Sequence, residues 1–240
     1  HNINEHKATG PDGIPGKLLK TCAIEILDSY VLLFETSIKQ GKVPTDWRHA
    51  SIVPLFKKGD KSKAENYRPV SLTSITCKLL EHIVHSNIMS HLDKNKILTN
   101  HQHGFRKNRS CGTQLITTLN DFNNSINARG QTDAILLDFS KAFDKVDHLG
   151  LMHKMASHGI SGNILEWTRS FLLGRSQKVI VEGVESDQNP VLSGVPQGTV
   201  LGPLYFLIYI NDINSNLSPG TQLRLFADDS LLYREINNRL

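Results

Sequence analysis

The stretch LRLFADDSLLYR, Leu223 to Arg234, decides the fold. Its two short strand-like runs, Leu223 to Ala227 and Ser230 to Arg234, are separated by Asp228 and Asp229 alone, the spacing of a tight β-hairpin with an acidic tip. Adjacent carboxylates repel, and the repulsion raises the pKa of one of them unless a cation is shared. Taken alone, such a pair points into solvent at a turn of the kind Asp favours. The setting changes that reading, because AILL, Ala134 to Leu137, is a continuous apolar run of the kind found in a buried strand, and it ends in Asp138. Three strand-end carboxylates, Asp138, Asp228 and Asp229, can then converge into the oxygen-rich site that two magnesium ions about 4 Å apart require, with manganese as a substitute. Ions so held activate a 3′-hydroxyl, bind a triphosphate and stabilise the departing pyrophosphate.

Working outward from the hairpin, Val200 to Ile213 predicts a very apolar helix and SGVPQG, Ser193 to Gly198, a loop. VIVEGV, Val179 to Val184, reads as a strand, and helices are expected over Asp147 to His158 and Ile164 to Leu173, with Gly150 interrupting the first at a cost of ~1 kcal/mol relative to Ala. Asp147 suits the N-cap of that helix, and Asp144 a structural contact. Nearer the N-terminus, helical spacing joins Ile24, Leu27, Val31, Phe34 and Ile38, with Gly41 placed to cap. It also joins Leu79, Leu80, Ile83, Ile88 and Leu92, and Leu115, Leu119, Phe122 and Ile126. Residues 48–56 predict a strand, followed by the basic loop KKGDKSK, Lys57 to Lys63, and by NYRPVSL, which Pro69 keeps out of a helix. The order predicts an α+β class with helices on one face of a mainly antiparallel sheet.

Composition sets outer limits. The chain has 240 residues, 39% hydrophobic and 21% charged, which suits a folded core rather than disorder. Its longest apolar run, Leu204 to Ile210, falls far short of the ~18 residues a membrane helix needs. Cys22, Cys77 and Cys111 are odd in number and unpaired in spacing, which points away from a disulfide framework or zinc site and toward a reducing compartment inside the cell, nucleus or cytoplasm. The eleven histidines show no metal-ligand spacing. Residues 1–112 carry 17 Lys and Arg against 10 Asp and Glu (17 − 10 = +7), whereas residues 113–240 carry 10 against 13 (10 − 13 = −3). A basic half suits a polyanion and an acidic one concentrates divalent cations. Since the chain opens at His1 and stops six residues after Arg234, it is expected to be an excerpt of a longer protein.

Seven motifs in order, KATGPDGIP (Lys7 to Pro15), VPLFKKGD (Val53 to Asp60), NYRPVSL (Asn66 to Leu72), QHGFRKNRS (Gln102 to Ser110), LLDFSKAFDKVDH (Leu136 to His148), SGVPQGTVLGP (Ser193 to Pro203) and LFADD (Leu225 to Asp229), resemble the reverse transcriptases of non-LTR, LINE-like retrotransposons. The resemblance implies a right-hand polymerase, fingers mainly in residues 1–132 and palm in 133–240, with the thumb absent. It assigns catalysis and metal binding to Asp138, Asp228 and Asp229, and makes Phe143 the floor under the incoming sugar, where a ring clashes with a ribose 2′-hydroxyl. Gln197 and Gly198 would pack against the nascent base pair. Lys57, Lys58 and Arg68 would hold the triphosphate, and Arg106, Lys107 and Arg109 the template backbone. The implied partners are an RNA template, a DNA primer and dNTPs, with no membrane and an open oligomeric state. Within the same fold, the alternatives are a group II intron type enzyme or a viral RNA-dependent RNA polymerase; Phe143 and FADD in place of GDD argue against the latter. From other classes come a remnant that binds RNA without sustained synthesis and a two-metal phosphohydrolase, whose His and Asp clusters are missing.

Overall fold

The computed structural model describes residues 3–236 and contains two sheets around a helical core. The first sheet has the order β2-β1-β4-β5, with β6 also pairing β4: β1 (His49–Phe56), β2 (Tyr67–Leu72), β4 (Arg175–Val181), β5 (Val184–Glu185) and β6 (Asn189–Val191). The β1–β4 pair is parallel and the others antiparallel. The second sheet is antiparallel, order β3-β8-β7: β3 (Gln131–Leu137), β7 (Thr221–Phe226) and β8 (Asp229–Ile236). Because β4 to β6 lie beside β1, the chain crosses back after residue 132, and the two sheets do not divide at that point.

The strand β2 was hidden in the sequence by its proline. Pro69 pairs with Pro54 on β1, and neither has an amide to give the ladder; β2 is an edge strand and Pro54 lies past the end of β1's pairing with β4 (His49 to Ile52), so neither proline interrupts a second ladder. The expected single strand VIVEGV instead folds back on itself: Val181 pairs with Val184 around Glu182 and Gly183, both at positive φ (50° and 83°), the pattern of a type I′ turn.

Helices α3 (Ile75–Lys94), α5 (His148–Ser157), α6 (Gly162–Leu172) and α7 (Leu201–Tyr209) form the core with α2 (Leu27–Gln40) at its margin. The helix α7 is buried along nearly its whole length, which is why its sequence is apolar all round; it ends at Tyr209, earlier than its apolar pattern predicted. Two of the large buried aromatics satisfy their polar atoms inside the core: the Trp167 indole donates to Ser37 Oγ at 2.9 Å, and Tyr205 Oη meets Thr168 Oγ1 at 3.0 Å. Gly41 caps α2 at φ 62° as expected. Asp147 caps α5 by accepting from the Gly150 amide, so Gly150 sits in the first turn and leaves the helix unbroken.

A single helix, α4 (Cys111–Asn127), secures the second sheet from one face. Its Phe122 meets the Tyr233 ring edge-on at 5.1 Å, while Asp121 accepts from the Tyr233 hydroxyl and from Arg224 Nη2 at 2.7 Å. The remaining helix, α1 (Gly16–Thr21), is short. No helix among the described residues is long and apolar enough to cross a membrane.

Candidate nucleotide and metal site

The hairpin that decides the fold is present, shifted by one residue. Phe226 pairs with Asp229, so the two turn residues are Ala227 and Asp228, and Asp229 opens β8. Ala227 has φ 56°, and Asp228 is not among the positive-φ residues, a pattern closer to a type II′ turn, whose first central position ordinarily belongs to glycine. An alanine held there stores ~1–2 kcal/mol of backbone strain immediately before Asp228.

Across the sheet, Leu137 pairs with Ser230, so Asp138, the next residue, lies at the Asp229 end of β8. The topology thus brings the backbones of Asp138, Asp228 and Asp229 to one end of one sheet. Their side chains do not close on one point: among the described residues no three His, Cys, Asp or Glu side chains stand near enough to hold an ion. The donor set still fits a hard cation, being carboxylate oxygens on adjoining strand ends, with Asp138 and Asp229 exposed and Asp228 half-buried.

Beside Asp228 opens a cavity of about 390 Å³ whose walls include Arg68, Phe143, Gln197, Gly198, Ala227 and Asp228, together with Phe105, Lys141, Ala142, Pro196 and Pro203. Arg68, Phe143, Gln197 and Gly198, far apart in sequence and expected at a nucleotide site, therefore share one space with Asp228. Phe143 lies flat on Phe206 (ring centroids 4.3 Å, 17°) and receives Phe105 edge-on (6.1 Å, 82°), so its ring is braced from two directions. Gln197 donates to Asp144 Oδ1 at 3.2 Å, which gives Asp144 its structural contact, and the Gln197 carbonyl accepts from the Ser71 amide at 2.9 Å. Gly198 has φ 99°, and a Cβ there would meet the Ser71 carbonyl oxygen at 2.8 Å. The close approach that needs this glycine is to β2, which ties the loop to the first sheet.

The basic residues divide by environment. Lys57 and Lys58 are exposed on the loop joining β1 to β2, outside the cavity walls, whereas Arg68 on β2 lines the cavity. In the 99–110 loop, Arg109 donates to the carbonyls of Asn100 and Gln102 and to Asn100 Oδ1, and Arg106 donates to the Thr99 carbonyl at 3.3 Å. Both guanidinium groups hold the loop in shape, while Lys107 is exposed. Burial, followed by the nearby Arg109, pulls the Arg106 guanidinium below its ordinary range, and burial, then Arg109 and Arg224, push the His103 imidazole down.

Sequence reasoning missed Phe105, Lys141 and two buried residues that fix the site from behind. One is Gln102. The other is Glu81 of α3, fully buried, whose Oε2 accepts from the amides of Val200 and Leu201 at 2.7 and 3.1 Å and so anchors the start of α7 just after the Gln197 loop. Burial raises the Glu81 pKa above 4.5 despite those two bonds. The folded protein therefore binds this proton more tightly than the unfolded chain, and the stability it contributes is full below pH 4.5 and is lost as pH rises from there through the folded value. Urea midpoints measured on either side of that window should fall less steeply with pH in Glu81→Gln than in the parent; equal slopes would contradict this account.

The reverse transcriptase (RNA-dependent DNA polymerase) family profile matches residues 56–240. Similar proteins include the RNA-directed DNA polymerase from mobile element jockey of Drosophila melanogaster, 28% identical over 93% of this chain and 25% of the relative. Another is the putative 115 kDa protein in the type-1 retrotransposable element R1DM of Drosophila melanogaster, 30% identical over 99% of this chain and 23% of the relative. The chain spans about a quarter of the length of these relatives. The structure of apo telomerase from Candida tropicalis, truncated from its C-terminal domain, superposes with a TM-score of 0.59 at 13% identity, covering 88% of this chain and 49% of that one, a likeness of fold. With the profile matching well over half of its residues and its relatives coming from a mobile element and a retrotransposable element, the chain belongs to the reverse transcriptase (RNA-dependent DNA polymerase) family.

Proposed function

We propose that this chain forms the fingers and palm of an RNA-directed DNA polymerase of a non-LTR retroelement, transferring nucleotides from dNTPs to a primer 3′-hydroxyl. The observation that carries the reading is the single cavity that joins Arg68, Phe143, Gln197 and Gly198 to Asp228 at the carboxylate end of the second sheet.

Each wall has a task in that reaction. Asp138, Asp228 and Asp229 would hold two magnesium ions, for which manganese could substitute; when bound, such ions would supply Lewis acidity to the primer hydroxyl and the triphosphate. Arg68 offers a planar fork to phosphate oxygens, and Lys57 and Lys58 add point charges from the neighbouring loop. The braced Phe143 ring forms the sugar floor, and the Gln197–Gly198 backbone, held by Ser71, supports the nascent pair. Lys107 meets template phosphate, while Arg106 and Arg109 shape its loop and add positive potential.

Primer extension on an RNA template with magnesium, comparing deoxy- and ribonucleotides, tests the reading. DNA products are expected from dNTPs and far fewer products from rNTPs. RNA binding without any extension would replace the proposal with a passive remnant, and equal use of both nucleotides would point to an RNA polymerase.

A further inference from the structure

The acidic turn is gripped by a side chain from a distant part of the chain. Gln102 is 3% exposed, and its carboxamide reaches the turn from a segment that runs parallel to the free edge of β7. In that segment His103 N donates to the Leu225 carbonyl and Leu225 N to the His101 carbonyl, both at 2.9 Å. Gln102 Oε1 accepts from Ala227 N at 2.9 Å and from Gly104 N at 2.7 Å, and Nε2 donates to the Ala227 carbonyl at 3.0 Å. One amide group thus satisfies the N–H and the C=O of the strained turn residue. An apolar side chain of similar reach offers neither donor nor acceptor, and an ionised carboxylate accepts without donating, so neither could replace all three bonds at neutral pH.

Gly104 completes the grip. A Cβ there would lie 2.3 Å from Ala227 N and 3.0 Å from Ala227 Cα, so the segment approaches the turn as closely as only glycine allows. Ala227 immediately precedes Asp228, and the orientation of its peptide groups sets where the Asp228 backbone leaves the turn.

We propose that Gln102 is the positioning residue of the metal-binding turn: it holds Ala227 at positive φ and thereby aims Asp228, with Gly104 providing the necessary approach. This rests on the reading of Asp228 as a metal ligand. It differs from a role in mere cohesion, because the bonds go to the one strained residue of the hairpin and the adjacent strand ladder is already complete.

The test uses the full protein with Gln102→Met, which keeps length and loses all three bonds, and with Gly104→Ala, which keeps Gln102 and presses on Ala227. Single-turnover extension on an RNA template with a DNA primer, dNTPs and magnesium should slow by about 30-fold or more, with the burst amplitude and template affinity unchanged. Hydrogen exchange at the Ala227 amide should quicken at least about tenfold, while the Leu223–Leu232 pair stays protected. A reduced amplitude at an unchanged rate would mean that Gln102 only supports folding and would overturn the proposal, as would a rate within threefold of the parent. If Gln102→Met does not fold, Gly104→Ala decides by the same criteria. If the parent itself extends no primer, the polymerase reading fails, and the grip is judged by exchange alone: unchanged Ala227 protection overturns it and selective loss of protection supports it.

Discussion

Asp138→Ala and Asp228→Ala are each expected to lower primer extension by at least about 10³-fold, the equivalent of ~4 kcal/mol in the barrier, while leaving RNA binding close to the parent's. Asp229→Ala should follow nearly as far. The expectation is sharp because, among the described residues, these three carboxylates make no side-chain hydrogen bond or ion pair, and two of them are exposed at strand ends. Removing any one of them strands no buried donor, so stability should move by no more than ~0.5 kcal/mol. A loss of activity at unchanged melting temperature therefore reports chemistry rather than unfolding. Extension by Asp138→Ala within a few-fold of the parent would remove it from the metal site.

Phe143→Val should raise ribonucleotide use relative to deoxynucleotide by roughly 10- to 100-fold, ~1.4–2.8 kcal/mol of discrimination. The ring is held flat against Phe206 and edge-on by Phe105, so it cannot swing aside for a 2′-hydroxyl without breaking two aromatic contacts. Those contacts also mean that the substitution costs ~1–2 kcal/mol of stability. That cost lowers both rates together and cancels in the ratio. An unchanged ratio in an active variant would return Phe143 to ordinary core packing.

What the sequence made legible follows the range of the interactions. The hairpin of Leu223 to Arg234, the strand ahead of Asp138 and the helices were readable because their patterning is local, although the apolar run before Asp138, expected to be buried, is exposed, Leu136 to 84%. The one-residue offset of the turn was not, since an alanine at φ 56° is imposed by Gln102 and Gly104 from more than a hundred residues away. The strand containing Pro69 carries a residue that argues against strands, and only its edge position allows it. Cavity residues such as Gln197 were accessible through motif resemblance; Phe105 lies within a quoted motif but its place in the cavity depends on tertiary contact, and Glu81 has no signature of its own. Arg106 and Arg109 show the reverse case: a basic cluster read as a surface for phosphate proves to be stitched to its own backbone.

The parallel pairing of β1 with β4 also shapes how the chain comes into being. Ser51 lies opposite Lys178, 127 residues later (178 − 51). At ~5–20 residues per second, a ribosome needs roughly 6–25 s to deliver the second partner after the first. During that interval β1 can form its hairpin with β2, but its other edge, with Ala50 and Ile52 destined for the interior, waits unpaired. Such an edge is a template for wrong partners, and the long sequence separation slows the correct closure as well. Poor yield or aggregation on rapid expression would thus originate at this edge during synthesis, and slowing translation or lowering temperature should relieve it without any change to the active site.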